Sequence, residues 1–89
     1  MSSYCDKMAN RCEKINDIIC LASYINFFSR PHPLISFHYN SQDKIFILEI
    51  IPSKPNVIIK VYEVHLDDPR SLQKLSNIHK RLKNIYINL

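Results

Sequence analysis

Glycine is absent from this chain of 89 residues. That excludes sites needing backbone geometry that only glycine adopts cheaply: phosphate-cradling P-loops, dinucleotide-binding fingerprints and most nucleophile elbows. Long apolar runs are missing as well. No stretch approaches the roughly 20 consecutive apolar residues that a membrane-spanning helix needs. The first residues include Asp6 and no apolar segment, so no secretory leader is expected. Cysteine is sparse and odd in number. Cys5, Cys12 and Cys20 give no disulfide framework, which points to a reducing, cytoplasmic setting. Acidic residues are absent from residues 70–89.

What is present is a globular composition, with 46% hydrophobic and 22% charged residues. A chain of this length makes one domain, with its core expected over about residues 16–87 and residues 1–15 as an N-terminal helical extension. Such a domain buries only about 60% of its unfolded surface and is marginal by itself. The surplus of apolar residues over what one small core can use suggests a partner.

The formal net charge is +4, and it is unevenly placed. Residues 1–29 balance Lys7, Arg11 and Lys14 against Asp6, Glu13 and Asp17. Residues 30–69 carry one more acid than base. Residues 70–89 hold Arg70, Lys74, Lys80, Arg81 and Lys83 without a counter-charge. Such a stretch is a phosphate-facing surface or a solvated helix face.

The periodicity predicts a helix, three strands and a helix. The first helix spans about residues 3–28, with Ser2 or Ser3 as cap and Cys5, Met8, Cys12, Ile15, Ile19 and Ala22 as its apolar stripe. Ile18, Leu21, Ile25 and Phe28 widen that stripe. Arg30-Pro31-His32-Pro33 ends the helix, because proline disfavours helical geometry at the residue before it. Strands are expected over residues 34–39, 45–51 and 57–64, where β-branched and aromatic residues alternate between polar or proline-containing turns. The last helix opens at Asp68-Pro69, with Asp68 as N-cap and Leu72, Leu75, Ile78, Leu82 and Ile85 as its buried stripe. The fold class is α+β: a three-stranded antiparallel sheet with two helices on one face.

Period-two alternation assigns Ile35, Phe37, Phe46, Leu48, Ile50, Val57, Ile59 and Val61 to the helix-covered face. The other face then mixes Ser36, His38, Glu49, Lys60 and Tyr62 with Ile45, Ile47, Ile51 and Ile58. Partner contact or base stacking would explain that mixture. Lys60 can meet a phosphate as a mobile charge, and Tyr62 can stack on a base or ribose.

Catalytic and metal constellations are weak. The cysteines are seven and eight residues apart, whereas structural zinc sites place two ligands two to four apart. Cysteines on a helical stripe are more often small core residues. Nothing activates or orients a Cys-His nucleophile. No enzyme activity, metal or cofactor is expected.

The hairpin "ISFHYNSQDKIFILEI", the third strand "VIIKVYEV" and the helix "DPRSLQKLSNIHKRLKNIY" together resemble the nine-kilodalton subunit family of the signal recognition particle. Upstream, "ASYINFFSRPHPLISF" is similar to that family's helix, aromatic pair and proline before the first strand. The resemblance covers about residues 18–86. It implies an α-β-β-β-α domain that pairs with a fourteen-kilodalton-type subunit, so that two sheets form one curved surface. That surface holds the Alu domain of the particle's RNA and supports elongation arrest during co-translational targeting. The ribosome would be an indirect partner, and there would be no direct membrane contact.

The chain departs from the family on the strand faces, where Glu49 stands where a base is expected and His38 replaces another. Expected RNA-contacting residues are therefore Lys60, His38 and Tyr62, with Arg30, Lys44 and Lys54 just outside the strands. Two other readings stand beside this one. A protein-interaction or chaperone-like subunit without RNA would account for the exposed isoleucines and Glu49. A lone double-stranded-RNA-binding domain shares the element order, but Asp67-Asp68-Pro69 occupies the place of its lysine cluster.

Overall fold

The computed structural model describes residues 4–28, 34–52 and 58–88, and side chains from Lys7 onward. Its element order is α1 (Tyr4–Phe28), β1 (Leu34–Asn40), β2 (Ile45–Ile51), β3 (Lys60–His65) and α2 (Ser71–Ile87). The three strands form one antiparallel sheet in the order β1-β2-β3. The α-β-β-β-α architecture is the one that the sequence pattern predicts. Arg30, Lys54 and Val57 lie outside the described residues.

Both helices lie on the same face of the sheet, α1 against β1 and α2 against β3, and they pack on each other. They run in the same direction. Near the start of α1, Arg11 Nε donates to the hydroxyl of Ser71, the first residue of α2. Ser71 is fully buried and donates in turn to the Leu66 carbonyl at 3.1 Å. One hydroxyl thus ties the first helix, the link after β3 and the start of the last helix together. Burying it is tolerable because both its donor and acceptor capacities are used.

The core sits between sheet and helices. Ile15, Ile18, Ala22 and Ile25 of α1 meet Leu75, Ile78 and Leu82 of α2 over Ile35, Phe46, Leu48, Ile50 and Val64. These α1 residues follow the helical repeat, but the stripe is rotated from the expected one. Cys12 and Phe28 are exposed, and the line of full burial runs 15-18-22-25. The reason is that α1 must face both β1 and α2, and the β-branched isoleucines of that line fill the space better than thiols do.

The second strand follows its predicted alternation, with Phe46, Leu48 and Ile50 buried. The third does not. Its register pairs Phe46 with Val64, Leu48 with Tyr62 and Ile50 with Lys60. Directly opposed residues share a face, so Lys60, Tyr62 and Val64 point to the helices, while Val61, Glu63 and His65 point away. Val61 and Ile59, expected in the core, are 58% and 49% exposed. Phe37 is on the expected face, yet it stands at the edge strand and stays 37% exposed. The phase is set from the far end of β3. Val64 and Leu66 are both buried, and the Leu66 amide donates to the Lys44 carbonyl at 2.8 Å. A period of two then carries every other side chain of the strand with them.

Two turn regions have defined chemistry. Asn40 Oδ1 accepts from the amides of Gln42 and Asp43, closing the first hairpin, and Lys44 takes a left-handed φ of 56°. Asp68 is not the N-cap of α2. Arg70 holds that position without a side-chain cap bond. Asp68 instead closes the preceding turn, its Oδ1 accepting from the Arg70 amide at 2.8 Å and its carbonyl accepting from the Ser71 amide. Proline at 69 favours this turn, and the helix starts only once Ser71 has reached the core.

The outer edge of β1 is partly closed from within. Asn26 Nδ2 donates to the Ile35 carbonyl and Asn26 Oδ1 accepts from the Ile35 amide, each at 2.7 Å. The side-chain amide thus occupies the place a neighbouring strand would take, a protection for an edge that would otherwise template foreign strands. Asn26→Leu is expected to leave both groups of Ile35 unpaired and to lower stability by about 2 kcal/mol. Urea unfolding measures this; an unchanged midpoint would show that the clamp contributes nothing.

Candidate interaction surfaces

Three surfaces remain after the core is filled. The first is the uncovered face of the sheet. In register it carries Leu34 and Ile51, then Ser36, Glu49 and Val61, then His38, Ile47 and Glu63, then Asn40, Ile45 and His65. Glu63 and His65 approach to 3.6 Å. The face holds two carboxylates, two imidazoles and a row of aliphatic side chains, and among its described residues it has no lysine or arginine.

The second surface is one end of the domain. Because the helices are parallel and the register pairs Leu34 with Ile51 and Ile50 with Lys60, the C-termini of α1 and α2 lie beside the starts of β1 and β3. Most of the exposed large apolar side chains gather there: Tyr24, Phe27, Phe28, Leu34, Ile58, Ile59, Tyr86 and Ile87. Phe27 is 73% exposed and Ile58 85%. On α1, Phe27 and Phe28 meet edge to face with ring centroids 4.9 Å apart, and Tyr24 stacks on Phe28 at 6.3 Å. Together with Ile19, Cys20 and Ser23 these rings line a shallow groove of about 490 Å³. An exposed apolar region of this kind is a candidate contact surface.

The third surface is basic and is built on α2. Its buried line, Leu75-Ile78-Leu82, leaves His79 and Lys83 on the side toward α1 and Lys74 and Arg81 on the side toward β3. Lys74, Asn77 and Arg81 rim a groove of about 500 Å³ beside Tyr62 and Glu63. Lys74 is committed to Asp68, its Nζ donating to Oδ2 at 2.8 Å. That hydrogen bond, with the Arg70 amide, holds the Asp68 carboxyl below the usual carboxylate range. His79 is pushed below its ordinary value first by partial burial and then by Lys14 and Lys83, with Asp17 opposing.

The structure divides the sequence-predicted RNA residues among these surfaces. His38 lies on the uncovered face. Lys60 and Tyr62, expected beside it, lie on the opposite, helix-covered side, Tyr62 packed against the core and Lys60 exposed. Lys44 sits in the hairpin turn and faces Asp67 at 3.6 Å. Sequence reasoning did not single out the aromatic end. Tyr24, Phe27 and Phe28 fall on helical spacing, and that spacing is ambiguous between core and a solvent-facing stripe until the helix rotation is known.

Among the described residues no group of three His, Cys, Asp or Glu side chains converges as a metal site would require. No helix among them is long and apolar enough to cross a membrane. Cys12 lies beside Tyr39, whose phenol is pushed up by burial and by that thiol.

These features define a two-layer α+β domain with a bare sheet face, an apolar end and a basic helix. No protein-family model matches the chain, and neither a curated protein nor a solved structure does.

Proposed function

We propose that this chain is a non-enzymatic, cytoplasmic RNA-binding subunit that pairs with a second small protein, in the manner of the signal recognition particle's Alu-domain subunits. In that role it would support elongation arrest while a ribosome is targeted. The observation that carries the reading is the unfinished surface of an α-β-β-β-α domain: helices cover one face only, and the aromatic and aliphatic side chains at one end stay in water. A small domain gains stability by covering such a region with protein. The basic helix supports an anionic second partner. A fourteen-kilodalton-type subunit, itself of this architecture, is the protein partner the resemblance implies.

The bare sheet face favours a second reading. With Glu49 and Glu63 on it and no lysine or arginine among its described residues, it is a poor phosphate platform and a reasonable protein-binding one. Under that reading the chain is a protein-interaction subunit without RNA. Purification of the chain from its own cytosol at low salt separates the two. One abundant structured RNA together with a second small basic protein is the expected result. A protein partner alone would replace the RNA reading with the second.

A further inference from the structure

We propose that this subunit meets the phosphate backbone of its RNA with the outer side of its helical layer, through Lys14, Lys80, Arg81 and Lys83, and not with its sheet. The inference rests on the RNA-subunit reading above and departs from the resemblance in one respect, the surface that holds the RNA. On the uncovered face, Glu49 and Glu63 stand on neighbouring strands with only aliphatic side chains, Ser36, Asn40, His38 and His65 around them. A phosphate brought to that face meets fixed negative charge, and no lysine or arginine among the described residues of the face offsets it.

The helical layer is the reverse. Lys80, Arg81 and Lys83 follow one another on the exposed flanks of α2, and no residue from 70 to 89 is acidic. None of the three, nor Lys14, has an ion-pair partner among the described residues, whereas Lys74 and Lys44 at the other end are paired to Asp68 and Asp67. The charges of Lys14 on α1 and Lys83 on α2 both act on His79, and Asp17 is the one acid that opposes them there. Their backbone positions are fixed by buried neighbours, Ile15 next to Lys14 and Leu82 next to Lys83. Like charges held together on rigid elements repel; an approaching phosphate relieves that repulsion and releases counterions. Residues on helices also hold a fixed spacing, which suits recognition of a folded RNA by shape. This arrangement leaves the sheet and the apolar end free for protein, so that both partners bind at once.

The test uses the full chain, alone and with the protein it co-purifies with, and a fluorescent RNA hairpin with a stem of about 16 base pairs, the span of one small duplex-reading domain. Lys80→Gln/Lys83→Gln is expected to weaken binding about tenfold or more and to reduce the slope of log affinity against log salt by about 2. Glu49→Gln/Glu63→Gln on the sheet is expected to change affinity less than about twofold. All four side chains are partly or fully exposed, and a thermal melt confirms that each variant folds. If the sheet variant alters binding and the helix variant does not, the contact moves to the sheet and the RNA reading survives. If the unaltered chain binds no RNA in either state, the RNA reading itself is overturned, and this inference with it.

Discussion

Phe46→Ala is expected to cost about 3–5 kcal/mol, most of what a domain of this size has to lose. Phe46 is fully buried on the central strand, opposed by Tyr39 on β1 and Val64 on β3. It belongs to the one core cluster that the sheet shares with both helices, so truncation opens a cavity that rigid neighbours cannot fill. The variant should be largely unfolded at room temperature by circular dichroism. A matched pair then tests the register of β3. Val64→Ala removes two buried methyl groups and should cost about 2 kcal/mol. Val61→Ala, on the exposed face, should stay within about 0.5 kcal/mol. Equal costs at the two positions would mean that the strand does not hold this register.

The second large effect is expected on association. Phe27 lies in the C-terminal turn of α1, is 73% exposed and meets Phe28 edge to face. Phe27→Asp should therefore leave stability nearly unchanged. At an interface, an aromatic anchor of this kind is worth about 2 kcal/mol or more, roughly 30-fold in affinity. A charge placed in the apolar groove adds an uncompensated desolvation cost. The complex with the co-purifying protein should fall apart in sedimentation experiments at concentrations where the unaltered chain stays bound. Retention of full affinity would place the protein partner elsewhere than the apolar end.

The two predictions differ because one face of each strand is enclosed and one end of the domain is not. That difference also explains what could be read from residue order. β2 was legible because its two faces differ in kind, Phe46-Leu48-Ile50 against a row interrupted by Glu49. β3 was not, because apolar residues occupy both phases of the stretch from Val57 to Val64, and its start was set too early by the run Val57-Ile58-Ile59. The placement of Lys60 and Tyr62 beside His38 followed from that phase and failed with it. The capping reading of Asp68 rested on the common pairing of Asp and Pro at helix starts. It missed that Ser71, three residues on, has two partners of its own in Arg11 and Leu66.

Residue order by itself determined the number, kind and sequence of the elements, the lack of a glycine-built catalytic loop, and the accumulation of positive charge in the last helix. These depend on local properties: propensity, period and composition over short windows. The tertiary structure alone decided which phase of β3 is buried, which line of α1 faces inward, that the two helices run parallel, and that the exposed aromatic residues meet at one end. Each of these depends on contacts between residues far apart in the chain, where a single buried pair such as Phe46 and Val64 sets the direction of every side chain that follows.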